Sequence, residues 1–443
     1  MKKLGLGVIG IIVMGAIYYF AVGSTQLTTE LKSQVNAQLA LLQKEGFSIQ
    51  DREVKERQEH FSLSFDNPQK ITHFLNQHGV QITLEDAKLV KGLILGVDVH
   101  YLPDTYTSVS FDTYPTALPT VLNSSVTTSE EKHILAQIEN MLEKKAFLMH
   151  VSINKLITGF KGHIKDIDEV FQGETEMQLT MKSLTFSGDI KDGAISSIKQ
   201  ELKTFGIKVP DVMFITLANL TSNYKVTGKT PYDYHTQYSM DSMTIHVEPD
   251  LNIVAQNMTM TSTSLLKDAL LSGTMTSKIA HVDIKDKGQA YTLNTLVLDI
   301  NAGNLDINAF EKLQQANVND EKYINELMQQ FFSKGVYIEI PVFSIETIEN
   351  RGKNLKGFTL DAEMTLDKTF DILALETNPM SALSTIDADL NLILSNDLFS
   401  LIMQQPEAMM ALMVFQPKDL NNSKAFELKL KDGKFTVNGT PMM

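Results

Sequence analysis

Several long stretches of the chain alternate hydrophobic and polar residues with a period of two, which predicts β-strands. In STIDADLNLILSND, apolar residues occupy every second position from Ile386 to Leu394. A strand with this pattern has one dry face and one wet face. TLVLDIN repeats the pattern from Leu296 to Ile300, and the segment 224–263 is rich in Thr, Tyr, Met and Val, which favour a pleated sheet. Antiparallel sheet is therefore expected over much of the chain.

Two hairpins are predicted from turn chemistry. In AFELKLKDGKFTVNG, Asp432-Gly433 matches a two-residue turn that suits right-twisted strands. That turn sets a register in which Leu430 pairs with Phe435 and Leu428 with Val437, all on one face. A second hairpin is expected around Asp192-Gly193 in FSGDIKDGAIS.

Helical spacing predicts four helices after the leader. The first carries apolar residues from Leu27 to Leu42 and ends at Gly46, and the second lies in NPQKITHFLNQHG. The third begins at its cap, Ser129, and the fourth lies in NAFEKLQQANVNDEKYINELMQQFFSKG with a break near Asn317. Two segments each predict a strand followed by a helix: TLNTLVLDINAGNLDINAFEKL and STIDADLNLILSNDLFSLIM. They are either an internal repeat or similar by chance.

The chain opens with an uncharged apolar run over residues 4–22, preceded by two lysines. At about 1.5 Å per residue, such a helix just spans a hydrocarbon core of roughly 30 Å. The aromatic cluster at 18–20 suits the membrane–water interface, and the lysines favour a cytoplasmic start. The run therefore predicts a single-pass anchor in a bacterial inner membrane, with the body in the periplasm. A signal peptide cleaved near Gly23 is the alternative, because Ala21-Val22-Gly23 resembles a cleavage site.

Together these elements predict an α+β fold. An N-terminal transmembrane helix is followed by an elongated body dominated by antiparallel β-sheet with packed helices. The expected division is a cytoplasmic tip and anchor at 1–23, a helix and strand region at 24–145, and a β-rich region at 146–443 that holds the repeat.

The composition of the chain excludes several classes of binding and catalytic site. The net charge of −14 argues against nucleic-acid binding, and the absence of cysteine excludes disulfides, thiol catalysis and cysteine-bound metals. The ten histidines form no metal motif, and the chain contains no GxSxG or P-loop sequence. We therefore predict no catalytic residue, cofactor or metal site. A hydrolase with an unrecognised site stays as an alternative, to be revived by a pocket that gathers Asp, Glu or His.

The most suggestive segment for binding is NDLFSLIMQQPEAMMALMVFQP, which fits two short methionine-rich helices. These helices form core, line a groove for an acyl chain or other apolar ligand, or bind a partner. The candidate ligand-binding residues are Phe399, Ile402, Met403, Met409, Met410 and Met413.

The lysine-tipped leader, the helix ending at Gly46, the long Thr-rich strands and the closing LKLKDGKFTVNGTPM resemble the YdgA-like family of bacterial envelope proteins. The resemblance implies an inner-membrane anchor and a periplasmic body. AsmA-like envelope proteins, associated with lipid transport, are similar in architecture, which is an analogy of fold only. The expected function is a membrane-anchored, non-catalytic periplasmic protein that binds a lipid or another apolar ligand in a groove between sheet and helix. The alternative is an envelope scaffold that acts through protein contacts, with oligomerisation left open.

Overall fold

The computed structural model describes residues 31–77, 82–125, 128–173, 175–192, 194–316, 320–404 and 415–442. The chain divides into two compact units, the first ending at Lys225 and the second beginning at Val226. Antiparallel strands dominate each unit.

The first unit is an antiparallel sheet with short helices packed on it. Its strands are β1 Phe47–Val54, β2 Gln58–Phe65, β3 Ile94–Tyr101, β4 Thr107–Ala117, β5 Met149–Asn154, β6 Gly159–Ile164, β7 Ile167–Phe171, β8 Met177–Lys191, β9 Ala194–Val209 and β10 Met213–Val226. Its described helices are α1 Leu31–Lys44, α2 Pro68–Gln77, α3 Leu84–Leu89, α4 Thr120–Ser125 and α5 Ser129–Glu143. Each strand pairs with the next, except that β6 and β7 both pair along β8.

The second unit is likewise an antiparallel sheet with short helices, and it has eleven described strands. They are β11 Tyr234–Val247, β12 Leu251–Lys267, β13 Leu270–Asp286, β14 Gln289–Asp306, β15 Tyr337–Asn350, β16 Lys353–Leu366, β17 Ile386–Ser395, β18 Lys418–Leu420, β19 Ser423–Lys431, β20 Lys434–Val437 and β21 Thr440–Pro441. Its described helices are α6 Ile307–Gln315, α7 Glu321–Phe332, α8 Ala374–Thr377, α9 Pro379–Leu383 and α10 Asn396–Ile402. From β11 to β17 each strand pairs with its successor, and β19 joins β17 to β20.

The principal core lies in the first unit, between β1–β4 and helices α1–α3. Phe61, Phe65, Phe74 and Leu42 are each at most 1% exposed. The ring of Phe65 meets the ring of Phe47 edge-on at 5.1 Å, an arrangement that aromatic pairs prefer. The core thus forms where helices cover the sheet.

Each of the strands β11–β16 contains one additional residue that interrupts the alternation between the two faces. These six residues lie side by side across the sheet. The six residues fall between regular cross-strand pairs: Asp241, Asn257, Ala280, Thr295, Glu346 and Gly357. We call them the extra-residue row. Asn257 and Thr295 have φ angles of 52° and 56°. Because of the row, Ile345 and Ile348, three positions apart, both pack into one apolar cluster.

Most local predictions are confirmed. The closing hairpin has the expected register, with Leu430 opposite Phe435 and Leu428 opposite Val437. The other hairpin pairs Lys191 with Ala194. The first helix ends at Lys44 before Gly46, which has φ 98°, and the second and third helices form as expected. The predicted fourth helix is two helices, α6 and α7, while Asn317 lies outside the described residues.

One cap was misassigned. Helix α5 is capped by Thr128 and not by Ser129. The Thr128 hydroxyl accepts from the backbone N–H of Glu131, while the Glu131 carboxylate accepts from the N–H of Thr128. This reciprocal pair satisfies two N–H groups at the start of the helix, which a cap one residue later would not do.

The predicted α+β class is wrong. Among the described residues, strands far outnumber helices, so the fold is mostly antiparallel sheet. The helices of the described ranges have at most 15 residues, and they pack on limited parts of the sheet without forming a layer of their own. The expected transmembrane helix at 4–22 lies outside the described residues. Within the described ranges, no helix is both long and apolar enough to cross a bilayer.

Candidate functional site

One face of the second unit's sheet is apolar over several strands. Cross-strand pairing aligns Met260 of β12 with Ser277, Leu298, Phe343 and Leu360 of the next four strands. Directly paired residues point to the same face of a sheet. A neighbouring row on this face consists of Met258, Ile279, Leu296, Ile345, Phe358 and Leu394. Together the rows form an apolar surface that is interrupted at Ser277.

Helix α10 covers one part of this surface. Its Leu398 is 6% exposed and packs with Ile348 and Leu394. Phe399 and Leu401 of the same helix join that cluster. At the other end of the strands, α7 covers a second cluster around Val336, Leu366 and Phe370. These two clusters form the buried hydrophobic core of the second unit.

Most of the surface on β11–β14 is only half-buried, although Ala255 and Val282, which stand opposite each other on it, are buried. Among the described residues, the helices of this unit pack mainly on β14, β16, β17 and β19. We call the half-buried part the open apolar face; its residues are Met240, Met243, Met258, Met260, Met275, Ile279, Leu296 and Leu298. An apolar surface that is left partly exposed is a candidate interaction site.

The predicted ligand-binding residues fall only partly near this surface. Phe399 packs on Phe426, with ring centroids 6.5 Å apart, and Lys424 Nζ lies 5.5 Å from its ring centroid. Ile402 is 37% exposed, and Met403 follows the helix as its C-cap. Met409, Met410 and Met413 lie outside the described residues. Of the described candidates, Phe399 therefore contributes to core packing next to the open apolar face.

The methionines of the open apolar face were missed as site residues. In NMTMTST, Met258 and Met260 alternate with Thr259 and Thr261, which face the opposite side. That alternation was the available sequence signal for an apolar strand face. The same alternation is equally typical of a strand whose apolar face is covered by other elements. Whether a covering layer exists depends on contacts far away in the sequence.

The first unit carries a polar feature that also escaped sequence reasoning. Five residues stand directly opposite one another across β2–β6: His60, Asp98, Asp112, His150 and His163. We call them the histidine–aspartate row. They point away from the core, because the alternating neighbours Val97, Val99 and Val151 are buried. DVH at 98–100 and HVS at 150–152 show this alternation in the sequence, but not the pairing.

Asp98 is the most heavily hydrogen-bonded member of the row. It accepts from His60 Nδ1 at 2.6 Å, Tyr114 Oη at 3.0 Å and Lys145 Nζ at 3.3 Å. Burial, the largest single influence, raises the pKa of Asp98, but the three hydrogen bonds and the Lys145 charge together hold that pKa below its ordinary value. The Lys145 ammonium also lies 3.7 Å from the centroid of the Tyr114 ring. Asp98 therefore anchors a local ionic network.

The lowered pKa of Asp98 predicts an acid-sensitive contribution to stability. The folded state favours the ionised carboxylate, so this stabilisation is present above the unfolded pKa of about 3.9 and is lost as pH falls through the folded value. We expect Asp98→Asn to be less stable than wild type at pH 7 and to lose less stability between pH 6 and pH 3. Urea unfolding followed by circular dichroism measures both. Equal losses in wild type and variant would contradict the assignment, and Asp211→Asn in the exposed β9–β10 turn is the control.

Asp112 lies between two histidines, one of which also contacts a serine. His150 Nδ1 lies 2.6 Å from Asp112 Oδ1, and His150 Nε2 lies 2.8 Å from Ser152 Oγ. His100 Nε2 lies 3.7 Å from the other Asp112 oxygen. The His163 ring lies 5.4 Å from that of His150. In the part of the chain that the structure describes, no group of three or more such side chains is arranged to hold a metal ion.

A cavity of about 680 Å³ opens beside this cluster, on residues of the first unit. Its lining includes His150, Ser152, Lys161, His163 and Thr185. Asp104 and Thr107, where β4 begins after the β3–β4 turn, also line it. The cavity thus gives access to the end of the hydrogen-bond chain.

No protein-family model matches the chain, and the searches of curated proteins and of solved structures likewise found no significant match.

Proposed function

We propose that the second unit binds the acyl chain of a lipid on the open apolar face, in a protein of the bacterial cell envelope. The observation that carries this proposal is the half-buried state of the Met, Leu and Ile side chains on β11–β14. Burying a methylene group contributes about 0.8 kcal/mol, so an acyl chain with ten buried methylenes gains roughly 8 kcal/mol before ordering costs.

The side chains favour a flexible linear ligand over a rigid one. Five of the eight residues of the open apolar face are methionines, whose unbranched, polarizable side chains adapt to irregular shapes. Met258, Ile279 and Leu296 form a row that crosses three strands. An extended chain lying along such a row would touch each strand in turn.

Localisation to the envelope is part of the proposal and rests on the sequence. The uncharged run at 4–22 directs the chain to a membrane, either as an anchor or as a signal peptide. The resemblance to the YdgA-like family supports the same localisation. A protein at that position has lipids available as ligands.

The proposal is tested by a matched pair of substitutions on one strand. Leu298 lies on the open apolar face, and its neighbour Val297 faces the opposite side, between Lys278 and Ser344. We expect Leu298→Asp to weaken binding of a fluorescent fatty acid at least tenfold, because it places a charge under the acyl chain. Val297→Asp should leave the affinity within about twofold. The measurement uses the full-length protein after complete removal of detergent.

Two outcomes would contradict lipid binding. One is equal affinity of the two variants, and the other is a wild-type protein that binds no fatty acid and releases no lipid in native mass spectrometry. A scaffold role would instead appear as self-association, with Leu298→Asp converting an oligomer to a monomer in light scattering while fatty-acid binding is absent.

A further inference from the structure

Ser152, His150 and Asp112 form a continuous chain of hydrogen bonds in the first unit. Ser152 Oγ lies 2.8 Å from His150 Nε2, and His150 Nδ1 lies 2.6 Å from Asp112 Oδ1. The fold fixes this order. His150 and Ser152 are two apart on β5 and share a face, while Asp112 stands directly opposite His150 on β4.

The order of the contacts determines the direction of proton transfer. The carboxylate of Asp112 accepts the Nδ1–H of His150, which leaves the lone pair of Nε2 free to accept the hydroxyl proton of Ser152. An imidazole held in this tautomer beside a serine is the arrangement that activates an oxygen nucleophile. It has no need of the nucleophile-elbow sequence that was absent from the chain.

The nucleophile is sheltered but reachable. Ser152 is 9% exposed, and it lines the cavity of about 680 Å³ together with Lys161. Lys161 stands directly opposite Ser152 on β6 and brings a cation to the same face. The next cation in the cavity, Lys199, is paired with Glu201 at 2.5 Å.

We propose that Ser152 is the nucleophile of an acyl-ester hydrolase site in the first unit. Ser152 Oγ attacks the ester carbonyl while His150 Nε2 takes the hydroxyl proton. The C–O bond to the alcohol breaks, and the alcohol leaves with the proton from His150. A water molecule then attacks the acyl-serine, His150 takes a proton from that water, and the carboxylic acid departs as the proton returns to Ser152 Oγ.

Lys161 is assigned the role of stabilising the negative charge that develops on the carbonyl oxygen. Ser152 lies in the ladder between Ser110 on β4 and Lys161 on β6, where backbone N–H groups are used in sheet pairing. A side-chain cation must therefore replace the backbone donors that stabilise the oxyanion in many hydrolases. Asp112 does not touch the substrate and acts as a positioning residue for His150.

The test begins with a fluorophosphonate probe, which is selective for activated serines. We expect the full-length wild-type protein to be modified at Ser152, as mapped by mass spectrometry of its peptides. Hydrolysis of p-nitrophenyl acetate should fall at least 100-fold in Ser152→Ala and in His150→Gln. The matched control is Ser110→Ala, because Ser110 stands opposite Ser152, is 3% exposed and should leave both readouts unchanged.

The role of Asp112 is tested by comparing an amide and a longer carboxylate at this position. Asp112→Asn should lower the rate at least 100-fold at pH 7, and Asp112→Glu should restore part of it, because only a carboxylate stabilises the imidazolium. A wild-type protein that is not labelled at Ser152 would overturn the proposal. Hydrolysis that persists in Ser152→Ala would do the same, and neither result depends on whether a variant folds poorly or on lipid binding by the second unit.

Discussion

Replacing Arg52 by methionine is expected to destabilise the first unit by about 3 kcal/mol, because it leaves a buried carboxylate without its cation. Glu59 is 2% exposed, and its Oε1 accepts from Arg52 Nε at 2.6 Å. Its Oε2 accepts from Tyr101 Oη at 2.8 Å. Burial, followed by the contact with Glu59, raises the pKa of Tyr101, so this phenol keeps its proton as a donor. Arg52 is 33% exposed, which places the expected cost at the lower end of the range for broken buried pairs.

A double-mutant cycle separates the cost of leaving the Glu59 charge unpaired from the cost of losing the packing of the Arg52 side chain. Arg52→Met combined with Glu59→Leu should recover much of the loss, since no uncompensated charge then remains buried. Lys55→Met is the control, because Lys55 pairs with Glu53 and both side chains are 70% exposed; its effect should stay within about 0.5 kcal/mol. Circular dichroism in urea is the measurement of choice, because the chain has no tryptophan. A double variant as unstable as Arg52→Met would refute the explanation.

Gly357→Ala is expected to destabilise the second unit by about 3 kcal/mol. A Cβ at this position would lie 1.8 Å from the carbonyl oxygen of Ile345 on the adjacent strand. Because that oxygen belongs to the backbone, β15 and β16 would have to separate to make room, which places the cost at the upper end for overpacked sites.

The control for this clash is a strand glycine with room for a methyl group. The nearest atom to a Cβ at Gly206 would be 3.7 Å away, in ordinary contact, so Gly206→Ala should change the unfolding free energy by less than about 1 kcal/mol. Urea unfolding of both variants gives the comparison. If Gly357→Ala unfolded at the same urea concentration as wild type, the close approach of Gly357 to Ile345 would be disproved.

The local features of the fold were predictable because a few neighbouring residues determine them. The turn at Asp432-Gly433 needs only a residue that tolerates positive φ followed by glycine, and those two positions then set the pairing of Leu428 with Val437. The end of α1 at Lys44, two residues before Gly46, is local in the same way. Such elements are encoded within about ten residues.

The fold class was not predictable by the same means. Alternation in β14 is broken at Thr295, so that Leu293 and Leu296 lie on the same face although they are three apart. Ser277 interrupts the apolar row on β13. A search for strict period-two alternation therefore underestimates the length of these strands. The predicted share of helix then becomes too high relative to strand.

The candidate sites depend on register between distant segments. Asp112 and His150 are 38 residues apart, and His60 and Asp98 have the same separation. The sequence does not show which strand is next to which. The open apolar face has the same origin, because exposure depends on what packs above β11–β14.

The extra-residue row also limits how this protein can change during evolution or engineering. Because six neighbouring strands carry the additional position at one height, removing Thr295 alone would shift half of β14 by one step against both neighbours. Shortening has to happen in all six strands together or not at all. Insertions and deletions should therefore be confined to the hairpin tips, such as Gly288 and Gly352, where a side chain would meet nothing within 4 Å.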